Sequence, residues 1–379
     1  MTDATAGALA GVRIADFSRV LAAPYATMLL ADLGAEVVKI ERPDGGDETR
    51  SWGPPWSRGE STYFQAVNRN KTSRVIDLRT PAGQEEARAL VAECDVVIEN
   101  FRTGTMERFG LGYDRLAATR PGLVYCSVTG FGSGAGADVP GYDLIVQAVG
   151  GLMSLTGDRD TGPTKAGVAL VDVISGLHAT IGIQAALRHR DHTGEGQQVE
   201  VNLLSSLLSA LTNQASAYVE TGVVPRPMGN RHASIAPYEV FATADRPLAI
   251  AAANDKLFAL LVDALDRPGL AADPRFATNG ARVEHRRLLG AELEDRLRTA
   301  TADHWFERLT AVGVPCGPIN DLGQAVALAE RLGLDPVTEI DDPERGGSAR
   351  QVSHPIRLSR TPATYRSAPP VLRAQRCVE

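Results

Sequence analysis

The chain is predicted to be an α/β protein in which a Rossmann-like parallel sheet forms a large domain and a smaller α/β domain follows. Short β-branched runs alternate with segments of helical pattern, as expected when helices cover both faces of a parallel sheet. Pro225, Pro227 and Gly229 then interrupt this pattern. A length of 379 residues also exceeds what one ordinary domain core holds, which indicates a second domain.

The N-terminal part of the chain begins with a β-α-β unit. Residues 12–17 are predicted as a strand because they are mostly apolar, and residues 24–33 as a helix that opens on Pro24. The next strand is predicted at residues 36–41. Strands and helices are expected to alternate further on, with strands at 74–78, 96–100 and 123–129 and helices at 82–93 and 113–120.

The second half of the chain contains a helix, a connector and a smaller domain. A helix is predicted at residues 175–189, whose small side chains allow close packing, and a long connector helix at residues 203–221. The Pro- and Ser-rich tail at residues 353–370 is expected to pack as extended chain on the large domain. The predicted boundaries are 1–200 for the large domain, 201–229 for the connector, 230–325 for the small domain and 326–379 for the return segment.

Composition indicates a globular enzyme that works in the cytoplasm. The chain is 44% hydrophobic and 22% charged, and its net charge of −7 argues against nucleic-acid binding because no basic stripe stands out. The N-terminus lacks the pattern of a secretion signal, and no membrane span is expected. Four widely spaced cysteines suit reduced thiols, and no metal site is predicted.

The turn after the first strand argues against a nicotinamide cofactor. It runs from Ser18 to Pro24 and lacks the Gly-x-Gly-x-x-Gly that lets a backbone approach a dinucleotide pyrophosphate. An oxidoreductase that uses this sheet for a dinucleotide is therefore disfavoured.

One carboxylate lies in an otherwise apolar and small-residue run. Asp172 is followed by Val-Ile-Ser-Gly-Leu, which makes it a good candidate for the N-cap of the next helix. Alternatively, it is a reactive group, because an apolar environment disfavours the charged form of a carboxyl. The residues themselves leave both interpretations open.

A series of motifs along roughly nine-tenths of the chain resembles the class III CoA-transferases, the family of formyl-CoA transferase and carnitine CoA-transferase. The motifs are Gly11 to Val20 with Ala23-Pro24, Leu33 to Pro43 with Gly46-Asp47, Asn68 to Lys71, Asp95 to Arg102, Gly141-Tyr142-Asp143 with Gln147-Ala148, Gly162 to His178, Asp273 to Phe276 and Gly313 to Pro318. This resemblance implies an enzyme that exchanges CoA between two carboxylic acids and holds no permanently bound cofactor.

The resemblance places the nucleophile of the reaction on Asp172. Its carboxylate would attack the acyl-CoA thioester, and the reaction would proceed through aspartyl anhydride and aspartyl-CoA thioester intermediates. Arginines at strand ends suit the phosphates of CoA, since a guanidinium binds phosphate oxygens in pairs. The positions that the resemblance assigns to the CoA groove are Val20, Ala22, Arg42, Arg79, Asn100, Phe101, Arg108 and Tyr142.

Two alternatives to a transferase remain at this point. α-Methylacyl-CoA racemase resembles the same family, but its acid and base include a histidine where this chain has Tyr142, and tyrosine is a poor base near neutral pH. A CoA-binding protein without activity is the other alternative. The intact motif around Asp172 favours the transferase over both.

The resemblance further implies a homodimer of two chains threaded through one another as linked rings. The predicted connector at residues 203–221 and the return segment suit that topology. A compact monomer with two domains docked side by side is the simpler alternative.

Overall fold

The computed structural model describes residues 7–158, 160 and 162–372. The strands within these residues are β1 Arg13–Asp16, β2 Glu36–Glu41, β3 Trp56–Ser57, β4 Glu60–Ser61, β5 Lys71–Val75, β6 Val96–Glu99, β7 Val124–Thr129, β8 Gln198–Asn202, β9 Tyr238–Phe241, β10 Leu248–Ala251, β11 Cys316–Pro318, β12 Val337–Asp341 and β13 Ser348–Val352.

Helices alternate with these strands, and a short 3₁₀ helix lies at Glu48–Ser51. The α-helices are α1 Ala22–Asp32, α2 Thr62–Gln65, α3 Pro81–Val91, α4 Thr105–Arg108, α5 Tyr113–Ala117, α6 Asp143–Val149, α7 Leu152–Leu155, α8 Leu170–Thr193, α9 Leu203–Ala210, α10 Thr212–Thr221, α11 Asp255–Ala264, α12 Gly269–Ala272, α13 Asn279–Glu284, α14 Arg286–Leu297, α15 Ala302–Ala311 and α16 Leu322–Arg331.

The larger of two compact units contains a six-stranded sheet in the order β5-β2-β1-β6-β7-β8. All neighbouring strands in it are parallel. Counted along the chain among the sheet strands, this is the 3-2-1-4-5-6 order of the Rossmann fold. The predicted fold class is confirmed. The strand predicted at residues 36–41 matches β2, and the other predicted strand bounds differ from the observed ones by at most three residues.

Alternate residues of the central strands β1, β2 and β6 pack into two different cores. Ile14, Val37 and Ile98 pack on one face with helices α1 and α8, whereas Ala15 and Val97 pack on the other face with α3. Successive side chains of a strand point to opposite faces, so a strand that is apolar throughout is buried on both. This explains why three consecutive residues of β6, Val96-Val97-Ile98, are apolar.

Helix α8 begins earlier than predicted. Its N-cap is Ala169, so Asp172 lies inside the first turn and the prediction of an N-cap at Asp172 is wrong. In length and composition α8 could cross a membrane, which the sequence had not led us to expect. Its residues Ala179 and Ile183 are nevertheless buried in the core of the larger unit, which is the ordinary position of such a helix in a globular protein.

The predicted connector helix at residues 203–221 is two helices. Leu211 ends α9, and Thr212, which begins α10, has a φ of 39°. A left-handed backbone at a β-branched residue interrupts the regular helical path. The prediction of one continuous helix is therefore wrong.

The second compact unit comprises Ser154–Thr164 and Arg226–Leu334. It contains an antiparallel sheet in the order β11-β10-β9. Helices α11, α14 and α15 contribute Phe258, Leu293 and Trp305 to its separate apolar core. We predicted residues 230–325 for the small domain, and the observed unit extends beyond that range on both sides and includes an earlier segment.

The C-terminal segment belongs to the larger unit, in which Asp335–Val352 forms a two-stranded ribbon before an irregular stretch. The fully buried Asp32 carboxylate accepts hydrogen bonds from Arg69 Nη2 at 2.7 Å and Asn70 Nδ2 at 2.8 Å, and its Oδ2 lies 3.2 Å from His354 Nδ1. The Arg69 guanidinium also donates to the carbonyl of Val352 at 2.9 Å. This Asp32 cluster ties the end of α1 to the returning chain.

Candidate functional site

The candidate site lies where the strand order of the sheet reverses. Strands β1 and β6 are neighbours, but the chain leaves β1 toward helix α1 on one face and leaves β6 toward the opposite face. Such a point in a parallel sheet opens a crevice at the carboxyl ends of the strands. Residues 19–22 after β1 and residues 100–103 after β6 form its two sides.

A cleft of about 220 Å³ opens in this crevice. It brings together six of the residues that the sequence placed at the site: Val20, Ala22, Asn100, Phe101, Tyr142 and Asp172. Gly130 and Gly141 bring the loop before α6 to the cleft, because a Cβ at Gly130 would lie only 2.7 Å from the Cα of Gly141. Tyr142 follows directly and is 62% exposed.

Asp143 fixes the start of the helix that carries Asp172. One oxygen of its carboxylate accepts hydrogen bonds from the backbone N–H groups of Val171 at 2.8 Å and Asp172 at 3.2 Å. The other oxygen accepts from Gln147 Nε2 at 2.5 Å. Because the first N–H groups of a helix have no partner within the helix, a carboxylate at this position stabilises the first turn.

Burial, and to a smaller extent the nearby negative charge of Asp143, raise the pKa of the Asp172 carboxyl to about 7. A carboxyl with such a pKa exchanges its proton near neutral pH, and its ionised form is less well solvated than a surface carboxylate. Both properties suit a carboxylate that acts as a nucleophile at the wall of a cleft.

A second cleft of about 250 Å³ adjoins the first and shares Arg19 and Phe101 with it. Arg42 and Arg79 line this second cleft, whereas the sequence had led us to expect them in one groove with Val20 and Ala22. Arg79 pairs with Asp77 at 2.8 Å and Asp44 at 3.0 Å, and Arg42 lies 3.7 Å from Glu48. Two cationic side chains thus lie next to the cleft of Asp172.

Arg108 is the predicted site residue that lines neither of these two clefts. Its guanidinium donates to the hydroxyl of Thr105 at 2.9 Å within helix α4. Asn100 also lines the first cleft. Its side-chain oxygen accepts a hydrogen bond from the N–H of Arg19, and its side-chain nitrogen donates one to the carbonyl of Arg19.

Three residues at the site are not among the positions that the sequence assigned to the CoA groove. Arg19 lines both clefts with its guanidinium 4.6 Å from the ring centre of Phe101, and Arg102 lines the first cleft. Asp143 was noticed as part of a Gly-Tyr-Asp motif but not as the cap of α8. Its position after a loop and before an apolar helix is typical of a capping residue. The N–H groups that it binds, those of Val171 and Asp172, lie far along the chain.

The described part of the chain contains no set of side chains that could bind a metal ion. Within those residues no group of three histidine, cysteine or acidic side chains is arranged to hold a metal ion. The nicotinamide fingerprint is likewise missing from the turn after β1.

Comparisons with known proteins agree with the fold and show the family of the chain. The model of CoA-transferase family III matches residues 9–376. A succinate–glutarate CoA-transferase of Agrobacterium fabrum is 43% identical over 96% of this chain and 92% of its own length. A succinyl-CoA:glutarate CoA-transferase of Mus musculus is 41% identical over 96% of this chain and 84% of its own length. The crystal structure of a CAIB/BAIF family protein from Brucella suis superposes with a TM-score of 0.86 at 41% identity, covering 97% of both chains.

Proposed function

Since the chain belongs to CoA-transferase family III and is therefore an enzyme that transfers CoA, we propose that Asp172 is the nucleophile of this transfer. The observation that carries the proposal is the position of Asp172. It lies in the first turn of α8, lines the cleft at the switch point of the sheet, and carries a carboxyl whose pKa is raised to about 7.

The chemistry follows from a carboxylate attacking a thioester. The Asp172 carboxylate adds to the carbonyl carbon of the acyl-CoA, the C–S bond breaks, and CoA thiolate leaves behind an aspartyl anhydride. The thiolate then attacks the Asp172 carbonyl of the anhydride, which frees the donor acid as a carboxylate and forms an aspartyl-CoA thioester. The acceptor carboxylate then attacks the aspartyl-CoA thioester, which releases CoA thiolate and forms a second anhydride. The thiolate attacks the acceptor's carbonyl carbon in this anhydride, so a new acyl-CoA leaves and the Asp172 carboxylate is restored.

The substrates we propose are short dicarboxylic acids, with succinyl-CoA as donor and glutarate as acceptor. The names of the two relatives support this, since both act on these acids and are more than two-fifths identical to this chain over nearly its whole length. Arg19 and Arg102 line the cleft beside Asp172 and offer cationic groups there.

The second cleft is our proposed site for the phosphates of CoA. Arg42 and Arg79 line it, and Phe101 lies between it and the cleft of Asp172. A guanidinium keeps its charge at all relevant pH values and binds phosphate oxygens in pairs. Arg108 has a weaker basis in this proposal because it lines neither cleft.

An exchange assay tests the proposed function directly. The purified protein is incubated with succinyl-CoA and glutarate, and glutaryl-CoA is measured by mass spectrometry, with a panel of other carboxylic acids in parallel. Formation of glutaryl-CoA with equal release of succinate is the expected result. Exchange with monocarboxylic acids alone would contradict the dicarboxylate assignment, and release of free CoA without a new thioester would contradict the transfer.

The activity is expected to rise with pH. Asp172 must be ionised to attack, and its pKa is raised to about 7, so kcat/KM should increase as the pH passes through 7 from below. Asp143→Asn keeps an oxygen for the backbone N–H groups of α8 but removes the negative charge, so the inflection should move to lower pH. A pH–rate profile of both proteins measures this. An inflection that stays in place in the Asp143→Asn protein would assign it to another group.

The linked dimer remains our proposal for the assembly. Large apolar side chains are exposed on four helices of the larger unit, which supports a partner surface there. They are Leu144, Ile145 and Val149 on α6, Leu177 and Ile181 on α8, Leu208 on α9, and Tyr218 and Val219 on α10. Interlocked chains cannot separate without unfolding, so analytical ultracentrifugation should find a dimer even at nanomolar concentration. A folded monomer at micromolar concentration would contradict the linked arrangement.

A further inference from the structure

Val20, at the wall of the first cleft, has an unfavourable backbone conformation. Its φ is 68°, in the left-handed region that glycine adopts readily and a β-branched residue rarely does. Such a conformation persists only where the surrounding structure enforces it. The contacts of the neighbouring peptide group show what enforces it here.

The peptide group between Arg19 and Val20 is held at both ends. Its carbonyl oxygen accepts a hydrogen bond from Asn100 Nδ2 at 2.7 Å, and its N–H donates to Asp47 Oδ1 at 3.4 Å. Rotation of this peptide plane is the movement that would return Val20 to a negative φ. Asn100 also accepts from the N–H of Arg19 at 2.8 Å, so both the oxygen and the nitrogen of its amide bond to the turn.

Asp47 is itself held in place by the buried ammonium group of Lys39. Lys39 Nζ lies 2.8 Å from Asp47 Oδ2 and donates to the carbonyl of Ser18 at 2.8 Å. The N–H of Thr49 donates to Asp47 Oδ1 at 2.9 Å. Lys39 and Asp47 are both almost completely buried, so this support cannot be exchanged for water without a large cost.

The turn that is held in this way contacts the helix of Asp172. Ala22 begins α1, and a Cβ placed on Gly176 of α8 would lie only 2.5 Å from the carbonyl oxygen of Ala22. Gly176 is one turn after Asp172 on α8. A shift of residues 20–22 would therefore change the cleft wall and its spacing from the nucleophile's helix.

We infer that Asn100 and Asp47 are positioning residues that hold the Arg19–Val20 peptide group, and with it one wall of the cleft, in the shape that binds the CoA thioester before the ligand arrives. The inference rests on the proposed function for the identity of the ligand. It differs from the role that the sequence gave Asn100, because the amide acts on the turn and not on CoA.

A double-mutant cycle on residues 20 and 100 separates these two roles. Asn100→Ala is expected to weaken CoA binding about tenfold, the effect of losing two hydrogen bonds that preorganise a site. In a Val20→Gly background the same change should cost less than about threefold, because glycine adopts the positive φ without support. Val20→Ala is the matched control. Alanine also lacks the valine methyls but keeps the Cβ, so Asn100→Ala should again cost about tenfold there.

CoA binding by each protein is measured by isothermal titration calorimetry. Equal losses from Asn100→Ala in the glycine and alanine backgrounds would overturn the inference, since a direct contact between Asn100 and CoA would not depend on the residue at position 20. Asn100 is chosen over Asp47 because removing Asp47 would leave Lys39 buried without its partner and would disturb folding.

Urea unfolding of the free proteins tests the backbone geometry without any ligand. With a positive φ at position 20, the Val20→Gly protein should be at least as stable as the Val20→Ala protein. A clearly more stable alanine variant would overturn the inference, because it would mean that residue 20 is not held in the left-handed region. A wild-type protein that binds no CoA would instead refute the proposed function, and the order of the two stabilities would still decide the geometry.

Discussion

Asp172→Asn is expected to lower the rate of CoA transfer by orders of magnitude while CoA still binds. The amide has nearly the size of the carboxyl but cannot attack a thioester, so only the covalent step is lost. The exchange of succinyl-CoA with glutarate measures the rate, and calorimetry measures CoA binding. Asp191→Asn is the matched control, since it makes the same change at the exposed far end of the same helix.

The same variant should be more stable than the wild type above neutral pH. A carboxyl whose folded pKa is raised from 3.8 to about 7 opposes folding once the pH exceeds its unfolded pKa, and the full effect is present above the folded pKa. Removing the charge removes this penalty. Urea unfolding at pH 8 therefore both checks that the Asp172→Asn protein is folded and tests the environment of the carboxyl. Nearly normal turnover would reassign the nucleophile.

Asp32→Ala is expected to destabilise the fold by about 3–5 kcal/mol, because it leaves the buried Arg69 guanidinium without its carboxylate. Asn70 and His354 would lose a partner in the same cluster. The shift of the urea midpoint at constant m-value measures the change.

Arg74→Ala is the control for the loss of one ion pair. Arg74 pairs with Glu86 at 2.8 Å, but its side chain is 47% exposed, so the loss should stay within about 1 kcal/mol. Adding Arg69→Met to Asp32→Ala should recover part of the stability, since it removes the unpaired charge. If Asp32→Ala costs no more than Arg74→Ala, burial does not set the energy of this cluster.

The sheet could be predicted from the sequence because its strands are buried on both faces. Val37-Val38 and Val96-Val97-Ile98 are apolar without interruption, and that pattern is local. The rule that ligands bind beyond the carboxyl ends of such strands then places Val20 and Asn100 at one cleft, as the structure does.

Interactions between distant parts of the chain could not be predicted in this way. Asp172 has the local signature of an N-cap, but Asp143, which lies 28 residues before Val171, supplies the carboxylate and lets the helix begin earlier. Nothing near Val20 indicates a positive φ, because the groups that enforce it come from Asp47 and Asn100. The prediction of one continuous connector helix failed for a related reason, since no glycine or proline marks the break between α9 and α10 at Thr212.

The division of the larger unit along the sequence has a consequence for synthesis. Arg69 and Asn70 are synthesised well before their partners Val352 and Thr364, which lie 283 and 294 residues further along the chain. Arg226–Leu334 is complete before those partners appear, so the smaller unit can close its core while the larger one still lacks its final segment. During synthesis the smaller unit can therefore fold before Arg69 and Asn70 of the larger unit acquire their contacts with Val352 and Thr364.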